Sequence, residues 1–453
     1  MKKWKATVLL TIVLVITAIL TVTAFARFPV GTKDFNGFLG AIETEYDLSG
    51  GTAYTLTLDK DNTEDVKDVE EVINTLKTRL NLLGYENYSV KAVKDVDEAV
   101  KDYDIRIETR GSVNKYGEID ESALAQDIAV VAAYGELKFF GGTSESPTEE
   151  ILTKDKAVAD ASYGGTQTDG STTYYIISIT FTDYGYNGIK ELMGDGTYYL
   201  RIDVGDNSLT GLKGLSISAS TFTKTYTLKT TAGESAARQF ALQIKSGGLA
   251  YKYNVSDGED VSSPLGANID TKSVIALGAL VLAIIAAMFV FDKKYGIVSC
   301  LSLILFVDLY LAMLVAIPNI KVSFGGIVGI ALAIFLVADG LFITSKRIKE
   351  EFARGKTVKS AVRTGYIRSV LPIAGSNGIA IISALILFAL TGGAVKNFAL
   401  IFVIGAVLAL ITTLVISRMF TSLILPLAEY KESFFGIKRT DGANAETAEE
   451  KGE

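Results

Sequence analysis

The 453-residue chain contains no histidine, one cysteine, six prolines and one tryptophan. Without histidine, neither a Ser-His-Asp nor a Cys-His nucleophile can be assembled. A Cys/His zinc site is excluded for the same reason. The lone Cys300 cannot form a disulfide within the chain, and its apolar surroundings read as those of a small core residue. A net charge of −7 lacks the basic footprint of a nucleic-acid binder, so no nucleic-acid partner is expected. The chain reads as a non-enzyme without a cofactor or metal.

What is present is apolar. Hydrophobic residues make up 49% of the chain and mean hydropathy is +0.32, yet 21% of residues are charged. The two properties coexist because they are segregated. Residues 28–272 are polar and acidic, and residues 273–427 are mostly apolar. "MKKWK" opens the chain with three lysines, and an uncharged stretch runs from Ala6 to Ala26. "AFA" at 24–26 resembles a signal-peptide cleavage site, but a bilayer needs about 20 apolar residues and this stretch has that length. A retained first transmembrane helix, residues 1–27, is therefore expected. Five further spans are expected at roughly 273–291, 297–317, 322–344, 371–390 and 397–417.

Lys and Arg set the orientation. The segment 345–370, "SKRIKEEFARGKTVKSAVRTGYIRSV", carries eight Lys/Arg and two Glu. It reads as a cationic amphipathic helix on the cytoplasmic membrane surface, with Ile348, Phe352, Val358, Val362 and Ile367 toward lipid. With six spans, the N-terminus, "DKKYG" (292–296) and this segment share the cytoplasmic side, and the loop 28–272 lies outside. The acidic tail 428–453 reads as cytoplasmic and disordered. "GKT" at 355–357 is not a phosphate-binding loop: Glu350 stands where that motif needs glycine.

The outer loop reads as α+β. "TAYTLTLD" (52–59), "YSVKAV" (88–93), "YDIRIET" (103–109) and "ELKFF" (136–140) are strand-like. Val66, Val69, Ile73, Leu76, Leu80 and Leu83 fall at helical spacing, Gly84 ends that helix, and 120–133 reads as a second one. This is the ferredoxin-like β-α-β-β-α-β order, assigned to about 45–142. A second module of the same kind is expected at about 170–256: strand 173–181, helix 184–193, strands 197–204 and 212–228, helix 232–246, strand 249–254. Gly50 and Gly51, and Gly247 and Gly248 after the last helix, read as tight turns needing positive φ, or as hinges between the membrane and outer parts.

The stretch "FLVADGLFIT" (335–344) places Asp339 inside a span, about 10 Å from Lys346 at the inner boundary. Asp308 lies mid-span in "LILFVDLYLAML" (303–314). Intramembrane acids mark proton or ion paths or hydrogen-bond neighbouring helices, and both readings stay open here. No Lys or Arg lies mid-span, so a cationic partner would come from another chain.

"EYDLSGGT" (45–52), "LKTRLNLLGY" (76–85), "FALQIKSGGLAYKYNV" (240–255), "FGGIVGI" (324–330), "ADGLFITSKRIKEEFARGKTVKSAVRTGY" (338–366) and "GGAVKNFALIFVIG" (392–405) together resemble the SecD branch of the SecD/SecF protein-export family, a split relative of RND-type transporters. The resemblance covers about residues 1–425. It implies six spans, a SecF-like six-span partner, a SecY/SecE/SecG channel, a translocating unfolded polypeptide, and a proton or sodium gradient as the energy source. By the same resemblance Asp339 falls on the family's intramembrane coupling acid, and Asn377 is what remains of a polar motif in span five. Gly340, Leu341, Gly375 and Gly325 depart from the family pattern, and Asp308 matches nothing in it. Two rival readings are an RND-like half-transporter for lipids or small molecules and an uncoupled membrane scaffold.

Overall fold

The computed structural model describes residues 3–427 except 27, 31–32, 36, 60–67, 95–102, 112–119, 136, 153–156, 171, 194–196, 205–206, 209–214, 219–221, 250 and 318–319. The tail 428–453 and Val66 lie outside the described residues. The chain divides into two compact units, Met1–Gly50 with Ser262–Glu453, and Gly51–Val261. Residues 28–50 and 262–272 thus belong with the helices rather than with the outer domain expected at 28–272.

The first unit opens with α1 (Lys3–Phe25), whose buried Ala6, Thr17 and Ala24 meet the rest of the bundle. The unit resumes at Ser262.

The second unit begins with β1 (Gly51–Leu58), α2 (Val69–Leu82), β2 (Tyr88–Lys94), β3 (Tyr103–Thr109) and α3 (Glu121–Val131). Helix α2 forms because Val72, Leu76 and Leu80 recur on one face, and Asp68 caps it by accepting from the Glu71 N–H. Then come β4 (Leu137–Gly142), β5 (Glu149–Leu152), β6 (Val158–Asp169), β7 (Thr172–Phe181), α4 (Asp183–Met193), β8 (Thr197–Val204), β9 (Leu215–Ser218), β10 (Thr225–Thr230) and α5 (Glu234–Ser246). The chain returns through β11 (Tyr253–Val255) and β12 (Glu259–Val261).

The first sheet has the antiparallel order β11-β1-β3-β2, with β12 continuing along the β11 edge of β1. "ELKFF" does not close this sheet. It forms β4, which pairs with β8, and the closing strand comes from 253–255. The expected single-sheet second module is also corrected. β7 pairs with β10 and β6, while β8 pairs with β4 and β9 in a separate sheet. Alternation marks these segments as strands, but pairing partners are chosen by the shared core. That core includes Phe139, Ile177, Phe181, Leu200, Leu228 and Ala241.

In the first unit five helical stretches are long and apolar enough to cross a membrane. The longest, 269–316, is interrupted: Lys293 takes φ +50° and residues 293–295 form a 3-10 turn. This separates α6 (Ile269–Asp292) from α7 (Gly296–Ala316). Then follow α8 (Phe324–Ala353), α9 (Val358–Leu390), α10 (Gly393–Ile411), a π-helical turn Thr412–Ile416, and α11 (Ser417–Ile424). Hydrogen bonds fix the directions. Asp292 at the end of α6 accepts from Ser345 and from Lys349 Nζ (2.8 Å) of α8, so these ends coincide. Tyr295 then bonds Thr421 (3.3 Å) at the same end, and Tyr310 OH donates to Ile401 O (2.7 Å) farther along the return of α7. The chain therefore reverses at 293–295.

Small residues let α8 approach α10 closely. A Cβ at Gly329 would stand 3.1 Å from Phe398 O, and one at Gly405 would stand 2.4 Å from Ala333 Cβ. The segment 345–370 is not a separate surface helix. Residues 345–353 prolong α8 and 358–370 open α9, around a turn at Gly355 (φ +85°). Ile348 and Phe352 are buried, and Ile348 packs with Tyr295, Val298 and Phe420, because burial within the bundle is open to an apolar stripe on paired helices. Ile367 alone of the five expected lipid-facing residues is strongly exposed.

Candidate functional site

Asp339 lies 15 residues into α8, about 22 Å from Phe324 along the axis. It is exposed on the outside of this chain's bundle. Phe324, Val328, Leu332, Phe335 and Lys346 share its exposed stripe at helical spacing. No described residue donates to or pairs with its carboxylate. The opposite face of α8 is packed. Next to Asp339, Gly340 is buried, and a Cβ there would stand 2.6 Å from Thr413 Cγ2 in the π-helical turn. Glycine at this position thus permits contact between α8 and that turn, and it is one of the family departures visible in the sequence.

Asp308 sits elsewhere. It is 1% exposed on α7 and accepts a 2.6 Å hydrogen bond from Thr21 Oγ1 of α1. This bond fastens α1 to α7. Asn377 is 1% exposed on α9; its Nδ2 donates to Ile373 O (2.9 Å), and its Oδ1 has no hydrogen-bond partner among the described residues. No hydrogen bond joins Asp339, Asp308 and Asn377 to one another among the described residues.

Gly50 takes φ +74° and Gly247 φ +84°, as tight turns require. Gly51 and Gly248 do not have positive φ. Gly51 is required for a different reason: a Cβ there would stand 2.2 Å from Thr109 O, where β1 meets β3. Gly247 is not free to swivel, since its carbonyl accepts from Arg79 Nη2 (3.0 Å).

Three polar centres escaped the sequence reading. Arg79 of α2 is fully buried and donates to Val131 O (2.8 Å), Ala133 O (2.8 Å), Gly247 O (3.0 Å) and Ser246 Oγ (3.0 Å). It plugs the carbonyl ends of α3 and α5, where the helix dipoles favour a cation. Burial pulls its pKa down to about 10, so it stays charged at neutral pH. Glu351, 1% exposed, pairs with Lys356 (2.6 Å), Arg354 and Arg368. The bond to Lys356 first, then the charges of Arg368 and Arg354, hold its carboxyl below the ordinary range. Lys356 of "GKT" is therefore engaged in a helix turn. Asp47, in the helical turn Tyr46–Ser49, accepts from the Phe324 N–H at the start of α8 (2.9 Å). Its signal lay within the quoted "EYDLSGGT", but nothing in one sequence links it to residue 324.

Residues 245–425 match the family model described as protein export membrane protein SecD/SecF, C-terminal. The match contains Asp308, Asp339, Asn377 and Glu351. Over this region the chain is similar to the C-terminal part of SecD/SecF protein-export subunits. It is 25% identical over 447 residues to the protein translocase subunit SecDF of Brucella abortus biovar 1 (strain 9-941), covering 95% of this chain and 57% of that protein. It is 30% identical over 189 residues to the protein translocase subunit SecD of Escherichia coli (strain K12), covering 42% of this chain and 31% of that one. The chain thus spans little more than half the length of that SecDF relative. A crystal structure of SecDF in the super-membrane-facing form shares its fold, with a TM-score of 0.70 at 20% identity over 92% of this chain and 57% of that one.

Proposed function

We propose that this chain is the SecD-type half of an ion-gradient-coupled export motor, with Asp339 as the coupling acid. The observation that carries the reading is the outward-facing Asp339 with no partner among the described residues. An ionised carboxylate at mid-membrane costs about 2.5–3.5 kcal/mol on insertion scales, so a face of this kind favours a covering protein surface over lipid. A SecF-like six-span subunit is the proposed cover and the source of a cation. In this reading α1, α6, α7, α8, α9 and α10 with α11 are six spans of the cytoplasmic membrane, with both termini cytoplasmic and the unit 51–261 outside. The β11-β1-β3-β2 sheet with α2 and α3 is its ferredoxin-like module.

The motor works beside a SecY/SecE/SecG channel and assists outward movement of an unfolded polypeptide. No enzymatic step is assigned. One charge crossing the membrane field supplies about 2.3 kcal/mol per 100 mV, enough to bias a conformational switch. Protons or sodium ions serve equally in this scheme. The test is export of a secreted reporter in cells lacking the native copy, complemented with wild type or Asp339→Asn at matched levels. Wild type should restore export and Asp339→Asn should not; equal restoration refutes coupling through Asp339. Co-purification with the channel separates this reading from a half-transporter for lipids or small molecules.

A further inference from the structure

The chain leaves the helical unit after Gly50 and returns to it at Ser262. Both crossings are tied to one point, the start of the helix that carries Asp339. On the outgoing side, Glu43 and Thr44 pair in parallel with Lys321 and Val322, and the Glu45 N–H donates to Val322 O (3.0 Å). Asp47 Oδ2 then accepts from the Phe324 N–H (2.9 Å). On the returning side, Ser263 Oγ donates to Asp47 O (2.5 Å) and accepts from the Leu265 N–H (3.1 Å). The α8 start is itself fixed. Ser323 Oγ accepts from the Gly326 N–H (3.1 Å) and donates to Asn397 Oδ1 (3.0 Å) of α10.

We propose that Asp47 is a positioning residue that passes displacement of the Asp339 helix into both chain crossings. The proposal rests on the reading of Asp339 as the coupling acid. Its physical basis is the division of labour at residue 47. The side chain holds the first N–H of α8, and the main-chain carbonyl holds the return segment, so one residue clamps three strands of chain. Helix α8 has no proline in its 30 residues and packs between Gly325 and Gly340 against α10 and the π-helical turn, so a shift at Asp339 reaches Phe324 through a stiff element. A carboxylate is suited to the post because it satisfies an unpaired N–H at a helix start and complements the dipole there.

The test uses the full chain with its partner subunit in inverted membrane vesicles. The readout is the increment in reporter translocation produced by an imposed ion gradient, relative to vesicles lacking the chain. Asp47→Ala should remove most of that increment, bringing it to within about twofold of the chain-free level. Asp47→Asn, whose amide oxygen still accepts from the Phe324 N–H, should keep more than half. A nitroxide attached through Val328→Cys on α8, in a Cys300→Ser background, separates coupling from damage. Its spectrum should respond to the coupling ion, pH or sodium, in wild type and in Asp47→Ala alike, and not in Asp339→Asn. Three outcomes overturn the proposal: Asp47→Ala keeps the increment; Asp47→Ala also abolishes the nitroxide response, which makes Asp47 merely structural; or Asp47→Asn is as poor as Asp47→Ala. If Asp339→Asn keeps the full increment, the coupling-acid reading falls first and takes this one with it.

Discussion

Replacing Arg79 by methionine should open the first sheet of the second unit, Gly51–Val261, without altering the helical unit. Arg79 makes four charge-assisted hydrogen bonds in a fully buried position. At about 1.5–3 kcal/mol each, their loss amounts to roughly 6–12 kcal/mol. Two terms reduce this. The pKa displacement from 12.5 to about 10 corresponds to a burial penalty of about 3 kcal/mol at neutral pH, which methionine would not incur. Two acceptors also keep a second donor: Gln243 Nε2 lies 3.3 Å from Ala133 O, and Ser246 Oγ lies 3.1 Å from Gly247 O. Val131 O is the acceptor left bare. The net expectation is a loss of about 3 kcal/mol, or roughly 150-fold faster amide exchange through sub-global opening. Hydrogen exchange on the full chain in detergent, followed in β1 and β3, reads this directly. Gln243→Leu should cost more in the Arg79→Met background than alone, because it then bares Ala133 O as well. Exchange in Arg79→Met within about threefold of wild type, on the same scale, would show that the guanidinium is not what holds the ends of α3 and α5.

Three further outcomes follow from the helical unit. Gly340→Ala should destabilise it, since overpacking against Thr413 costs about 1–3 kcal/mol and exceeds the gain of about 1 kcal/mol in helix propensity. Gly375→Ala, with no heavy atom within 4 Å of the new Cβ, should raise stability by up to about 1 kcal/mol in the same thermal-unfolding assay. The turn between α8 and α9 should lose protection in acid. The folded carboxyl of Glu351 is depressed, so its contribution is complete above the unfolded range and disappears as pH falls through the folded value. Exchange across 351–368, corrected for intrinsic rates, should be flat at neutral pH and rise below about pH 4, and Glu351→Gln should remove that dependence.

Much of the architecture was legible because it rests on local signals. Span length, the reversal at "DKKYG" and the α2 face all follow from residues within one helix or turn. The first β-α-β-β-α run was legible too, but its last strand was not. "ELKFF" and "YKYNV" are equally strand-like, and which one lies beside β1 depends on a core assembled from distant segments. The strand β6 went unread because Ala159, Asp160, Ala161, Gly164 and Gly165 carry little β signal of their own. At the candidate site the acid was legible and its surroundings were not. Asp339 stands out against an apolar run, whereas its exposure depends on which side of α8 meets α10. Arg79 and Asp47 looked like ordinary surface charges because their partners are far away in sequence or are backbone carbonyls and N–H groups, which no side-chain pattern reveals; Glu351 has near partners in Arg354 and Lys356, but its burial depends on how α8 and α9 pack.

The late closure of the first sheet has a consequence for biosynthesis. β1 is a central strand, yet one of its edges waits for residues 253–261, and the strands and helices of the rest of the second unit come in between. At about 5–20 residues per second, the interval between synthesis of β1 and of β11 is on the order of 10–40 seconds. During that time "TAYTLTL" presents an unpaired edge. The newborn chain thus passes through a stage in which it is itself an incomplete sheet seeking a strand.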